Sequence, residues 1–287
     1  MFPPPGPEEG TQNKINQDCA VVCHPYCADP LCAFFGVFDG HGRYGEVVST
    51  AVMDFIVGEL ERRLLLDEGI NAALTFAFEE ANLHLAQLVP KEAVHSGACA
   101  AVILAHGSRM WTANAGDCRA VMGVRRGGAL EAVRLSVDHK PDEPSEKARV
   151  TALGAHVSEG SDEPYEPARL YRSKLRPRLG PGLAMSRCLG DLADGPAGII
   201  PTPAVGYYEL GTDPGCEELF VVLASDGVWE HLPDLAVVEL VESFHGAGKP
   251  AKAACTNLIA RSAVAWRMEE GNYRDDITAL VIYLPCL

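Results

Sequence analysis

The chain has no apolar run approaching the roughly 18 residues that a membrane-crossing helix needs, so no membrane insertion is expected. Basic side chains are in short supply: 24 Lys and Arg stand against 39 Asp and Glu, a net charge of −15. That deficit excludes nucleic acid and anionic membrane surfaces as partners, because both are gripped by clustered Lys and Arg. The N-terminus carries no apolar signal-peptide core, and Met-Phe excludes N-myristoylation. A cytoplasmic and/or nuclear protein is expected. Its ten cysteines are therefore read as reduced thiols. Cys19, Cys23, Cys27 and Cys32 lack the C-x₂-C pairs of zinc modules. Cys19, Cys23 and Cys27 would instead share one face of an extended segment, which suits packing. There is no internal repeat.

What the sequence does have is a set of acids at the ends of uncharged strands. In VFDGHG, residues 37–42, a buried strand over 33–38 delivers Asp39. Gly40 and Gly42 bracket His41 and are expected to turn the backbone sharply before a helix near Tyr44. Residues 111–121 place Asp117 beside Gly116 at a tight turn. Residues 219–230 end a strand in Ser225 and Asp226, followed by Gly227 and Glu230. Asp275 and Asp276 open the last apolar strand. Carboxylates brought together repel one another, and burying them unpaired is costly. An oxygen-only cluster suits Mg²⁺ or Mn²⁺ better than Zn²⁺.

Hydrophobic spacing predicts strands at 17–22 and 33–38 and helices at 45–66 and 71–88, then four strands between 98 and 136 that short turns join into one antiparallel sheet. Further helices are expected at 142–153, 233–244 and 251–268, with a short helical piece at 184–189 and strands at 219–224 and 277–284. Residues 158–181 are proline-rich and irregular. A loose arm at 1–12 and one catalytic domain over 13–287 complete the expected organisation. Strand runs interrupted by helix pairs indicate an α+β fold.

VFDGHG, AGDCRA, SDGVWE and DDIT, in this order, resemble the metal-dependent Ser/Thr protein phosphatase family (PPM, protein phosphatase type 2C). NKINQD, SGACAAV, DHKP and GLAMSRCLGD support the resemblance, and the last is most similar to the plant and protist branch. The resemblance implies a four-layer α-β-β-α sandwich with metals at one edge. It implies hydrolysis of phosphoserine and phosphothreonine by direct attack of metal-bound water at a binuclear Mg²⁺ or Mn²⁺ centre. Asp39 would bridge the two ions, the Gly40 carbonyl would serve one, and Asp226 with Asp275 the other. Asp117 and Glu230 match positions that, with Asp226, hold a third. His41 could protonate the leaving alkoxide. Gln17 and Asp18 stand where many relatives have Glu-Asp, and with Asp276 are expected around the metal ligands.

Other departures touch the substrate. The relatives' phosphate-binding arginine has no counterpart, and Lys14 is the nearest cation. Arg43 follows Gly-His-Gly where glycine is common. Residues 169–178 carry five basic side chains, among them Arg172, Lys174 and Arg176. They would form a flap offering positive charge to a phosphorylated protein substrate. A monomer is expected. The rival reading, a pseudophosphatase kept as a binding or scaffold module, would predict lost metal acids.

Overall fold

The computed structural model describes residues 14–66, 69–162, 165–173 and 182–285. The expected arm at 1–12 lies outside them. In chain order the first elements are β1 (Asp18–Cys23), β2 (Cys32–Gly42), α1 (Gly45–Leu65), α2 (Ile70–Leu88), β3 (Ser96–His106) and β4 (Arg109–Ala115). Next come β5 (Arg119–Arg126), β6 (Ala129–Arg134), α3 (Pro144–Ala152) and four two-residue strands: β7 (His156–Val157), β8 (Ser161–Asp162), β9 (Tyr165–Glu166) and β10 (Leu170–Tyr171). The chain continues through β11 (Leu189–Gly190), β12 (Ala204–Glu209), β13 (Cys216–Ala224), α4 (Asp226–Trp229), α5 (Asp234–His245), α6 (Ala251–Glu269) and β14 (Ala279–Tyr283).

Two antiparallel sheets are stacked between helix pairs, which is the four-layer sandwich expected. One sheet has the order β1-β2-β3-β4-β12, with β11 added alongside β3; the other has the order β14-β13-β5-β6. Val48, Val52, Ile56 and Leu60 recur every four residues along α1 and are fully buried on the first sheet. Each such side chain contributes about 1.5–3 kcal/mol through burial. Ala254, Leu258, Ser262 and Trp266 form the buried stripe of α6, with Ala254 and Leu258 in the core on the second sheet and Trp266 donating to the Gly227 carbonyl of α4. Between the sheets lies a third core that includes Val37, Ile103, Met122, Val221 and Leu223. Along β1, Cys19, Val21 and Cys23 alternate toward the α1 side, so these two thiols pack on one strand face as expected, whereas Cys27 lies beyond the strand in a turn and does not share that face.

Three expectations are corrected. First, the four strands from β3 to β6 do not share one sheet. The link from Ala115 to Arg119 crosses between the sheets, and its Gly116-Asp117 step makes the crossing. Second, the chain does not turn at Gly40: β2 runs on to Gly42, pairing with β3 as far as Gly42↔Ser96. The glycines serve close approach instead. A Cβ on Gly40 would lie 2.3 Å from the Gly45 carbonyl oxygen and 2.5 Å from that of Gln17.

Third, residues 184–189 form no helix. Cys188 donates its backbone N–H to Ile200, and Leu189 and Gly190 pair with Ala98 and Gly97 of β3. Buried Glu146 on α3 holds this extended stretch by accepting from Ser186 Oγ at 2.6 Å and Arg187 Nη2 at 2.6 Å. Short α4 and strand β12 were not expected from the spacing; β12 is only partly buried, and Gly206 interrupts its side-chain pattern without interrupting the strand.

His139 braces the inter-sheet crossing, its Nδ1 accepting from the Gly116 N–H at 3.2 Å. Burial, then the nearby Arg187 guanidinium, depress its pKa to about 4. The unfolded chain takes up this proton near pH 6.5 and the folded one only near 4, so stability should fall by roughly 3 kcal/mol as pH drops across that window. His139→Asn keeps an acceptor but no titrating group. Its melting temperature relative to the parent should rise between pH 7 and pH 4.5; an unchanged difference would contradict the assignment.

Candidate active site

A cleft of about 780 Å³ opens where the strand ends of both sheets meet, with Asp39, His41, Asp226, Glu230 and Asp275 on its wall. Asp39 arrives on β2, opposite Asp18 of β1 and Cys99 of β3. Asp226 is the first residue of α4, separated from the end of β13 only by Ser225. Gly227 must be glycine, because a Cβ there would sit 1.9 Å from the Asp276 carbonyl oxygen. That contact seats the Asp275-Asp276 loop against α4. Asp117 comes from the inter-sheet crossing and is 1% exposed. Four acids far apart in sequence thus reach one place.

Their electrostatics are those of a crowded anionic cluster. Burial, then Asp226 and the neighbouring Asp18, Asp117 and Asp275, push the Asp39 carboxyl well above the ordinary range. Burial and then Asp117 do the same to Asp226, with Lys140 opposing. Burial would raise Asp117 too, but the Lys140 ammonium outweighs it and the net shift is downward. Lys140 Nζ lies 2.7 Å from Asp117 Oδ2 and 3.9 Å from Glu230 Oε2. The other oxygen of Asp117, Oδ1, is buried and makes no hydrogen bond of good geometry among the described residues, although the weak-donor thiol of Cys99 lies close enough to the carboxylate to help lower its pKa. An orphaned buried carboxylate oxygen, in a cluster of oxygen donors that resist ionising together, fits hard divalent cations.

Asp18 accepts from Ser225 Oγ at 2.8 Å. The Gln17 amide donates to the Gly42 carbonyl at 2.7 Å and to Glu46 Oε2 at 3.2 Å, while its backbone N–H donates to Asp276 Oδ2 at 2.9 Å. Lys14 lines the cleft, ion-paired to Asp275 at 2.9 Å and to Asp276 at 3.3 Å. Its charge is thereby tied to acids of the site. Arg43 is exposed, its guanidinium 5.3 Å from the Tyr44 ring centroid, and is not brought to the cleft wall. Arg172 is on the wall but is paired with Asp194, with His95 Nδ1 3.4 Å from Nη2. Arg169 also lines the cleft and donates to the Gly182 carbonyl at 2.9 Å. Lys174 and Arg176 lie outside the described residues.

One site residue escaped the sequence reading. Asp191, 2% exposed, places Oδ2 2.5 Å from His41 Nε2. His41, Gly97 and Gly190 are register partners across β2, β3 and β11, so Asp191 follows directly on the strand two places away. It reaches His41 because Gly97 between them has no side chain; a Cβ there would lie 2.5 Å from Asp191 Oδ2 and 2.7 Å from His41 Nε2. Burial lowers the basicity of His41, but the hydrogen bond and charge of Asp191 outweigh it, and the pKa is raised overall. The ring is thus poised to carry a second proton. A helix expected at 184–189 hid this neighbour, although GLAMSRCLGD marked the stretch.

The sequence and the fold both have counterparts among known proteins. A family model for protein phosphatase 2C matches residues 11–270. Probable protein phosphatase 2C 48 of Oryza sativa subsp. japonica is 33% identical over 95% of this chain and 81% of its own length. Probable protein phosphatase 2C 34 of Arabidopsis thaliana is 30% identical over 95% of this chain and 78% of its own length. The fold is similar to that of a serine-threonine phosphatase 2C from Toxoplasma gondii, with a TM-score of 0.78 at 23% identity, covering 94% of this chain and 91% of that one. The chain belongs to the plant/protist-like branch of the protein phosphatase 2C family and is a metal-dependent protein serine/threonine phosphatase.

Proposed function

We propose that the cleft hydrolyses phosphoserine and phosphothreonine in proteins directly, with no covalent intermediate, at two Mg²⁺ or Mn²⁺ ions. Asp39, the Gly40 carbonyl, Asp226 and Asp275 would hold the pair, with Asp117 and Glu230 offering, beside Asp226, donors for a third. When bound, the ions supply Lewis-acid charge that makes water nucleophilic at neutral pH and neutralises the phosphoryl oxygens. The observation that carries this reading is the buried, unpartnered Asp117 Oδ1 beside the mutually repelling Asp39 and Asp226.

The chain's own residues do the rest. Asp191 fixes the His41 ring through Nε2, so the second ring nitrogen, Nδ1, is the one that can give a proton to the departing serine or threonine oxygen. Lys140 balances the acids at the back of the cluster, while Gln17 ties Gly42 and Glu46 to the Asp276 loop. Cys99, Cys118 and Cys188 are buried, and burial pushes each thiol well above its ordinary pKa, so none offers a nucleophilic thiolate.

The test is phosphopeptide hydrolysis with Mn²⁺, then with excess chelator. Activity should vanish with the metal and return on adding it back. Turnover that survives thorough chelation, or a trapped phosphoenzyme, would sink the proposal.

A further inference from the structure

Next to the oxygen-only cluster the described residues assemble a second donor set of different chemistry. His41, Cys188 and Asp191 present a ring nitrogen, a sulfur and a carboxylate oxygen that all lie within 4.8 Å of one another. We propose that these three side chains form a separate, inhibitory site for a borderline-soft divalent cation, namely Zn²⁺.

The distances suit that ion. Tetrahedral zinc, with bonds of about 2.0–2.3 Å, holds neighbouring N, O and S donors about 3.3–3.6 Å apart. Cys188 Sγ is already 3.4 Å from Asp191 Oδ2. The His41 Nε2 to Asp191 Oδ2 separation is 2.5 Å and has to widen by less than about 1 Å, which removal of the proton between them favours. Binding releases two protons, the one shared by His41 and Asp191 and the thiol proton of Cys188, with no change of oxidation state. The thiolate and carboxylate then cancel the dication, so no net charge is buried. A sulfur and an imidazole select Zn²⁺ or Cd²⁺ over Mg²⁺ and Mn²⁺, which prefer the all-oxygen cluster nearby. His41 and Asp191 both line the cleft, so an ion can enter there and a water can complete the fourth position.

Zn²⁺ in this site takes the nitrogen by which Asp191 holds His41. Turnover should therefore fall while the acid cluster stays loaded, and extra Mn²⁺ should not restore it. This consequence rests on the phosphatase reading above; the binding itself does not.

Two measurements test the site on the full chain. The first is Cd²⁺ titration in saturating Mg²⁺, followed by the ultraviolet charge-transfer absorption of a cadmium thiolate. The parent should bind one equivalent more than Cys188→Ser, which keeps a donor to Asp191 and the size of the side chain, and than Cys188→Ala, which keeps neither sulfur nor hydroxyl. Equal stoichiometry in all three overturns the proposal, whether or not the protein turns over phosphopeptide. The second is Zn²⁺ inhibition at saturating Mn²⁺. Cys188→Ser should keep its Mn²⁺-supported turnover and need at least about 10-fold more Zn²⁺ for half-inhibition. Unaltered Zn²⁺ sensitivity, or inhibition that Mn²⁺ relieves equally in both, would put the ion in the acid cluster and overturn the site.

Discussion

Asp39→Asn and Asp226→Asn should each lower Mn²⁺-supported turnover by at least about 10³-fold, since each takes a charged oxygen donor from the cluster and several kcal/mol of transition-state stabilisation with it. The fold should survive. In metal-free buffer near neutral pH these two carboxyls, buried and surrounded by Asp18, Asp117 and Asp275, oppose folding when ionised. A carboxyl whose folded pKa is raised stabilises the fold below its ordinary value, and that contribution is lost as pH rises through the raised one. The isosteric amide removes the repulsion, so each variant should melt in chelator at or above the parent temperature at pH 7. Kinetics at millimolar Mn²⁺ and thermal denaturation in chelator check the two halves independently. Near-native turnover would remove that residue from the metal site, and a lower melting temperature in chelator would contradict the charge crowding.

Loss of the His41 proton donor should be nearly as large on the natural substrate class and small on an artificial one. His41→Ala should slow hydrolysis of a phosphoseryl peptide by about 10²–10⁴-fold, the usual worth of general acid catalysis. An aryl phosphate, whose leaving group departs as a stable anion, should lose far less. Asp191→Asn should show the same bias toward alkyl esters, because it weakens the hold on Nε2 and withdraws the charge that keeps His41 protonated. Gly97→Ala should reproduce it with both partners left unsubstituted, since the added methyl would press between them. Equal losses on both esters would assign His41 to positioning in the acid cluster and Asp191 to support of that role.

The basic stretch at 169–178 was expected from its composition to offer positive charge to a phosphorylated substrate. Composition shows positive charge in an acidic protein, but Arg172 is already compensated by Asp194 and Arg169 is engaged with the Gly182 carbonyl. At Arg172 an acidic substrate would compete with Asp194.

Much of this protein was legible in its residues alone. The four-residue repeat of Val48, Val52, Ile56 and Leu60 specifies a helix with one buried face, and uninterrupted apolar runs specify β3 and β13, because periodicity and hydration act locally along the chain. Asp39, Asp117, Asp226 and Asp275 stood out for the same reason: a charge ending an uncharged strand is visible without knowing what it faces. The tertiary structure decided what those positions meet. Whether β4 and β5 share a sheet depends on which core each face buries, and a Gly-Asp step allows a hairpin or a crossing equally well. That Asp117 keeps one oxygen unpartnered, that Lys140 holds the other, and that Arg172 is spent on Asp194 follow from contacts among residues distant in sequence. The meeting of His41 with Asp191 and Cys188 depended on the third dimension most. It needs β11 to lie beside β3 and Gly97 to leave space between, and no local pattern at 184–191 encodes a pairing with a strand so distant in sequence.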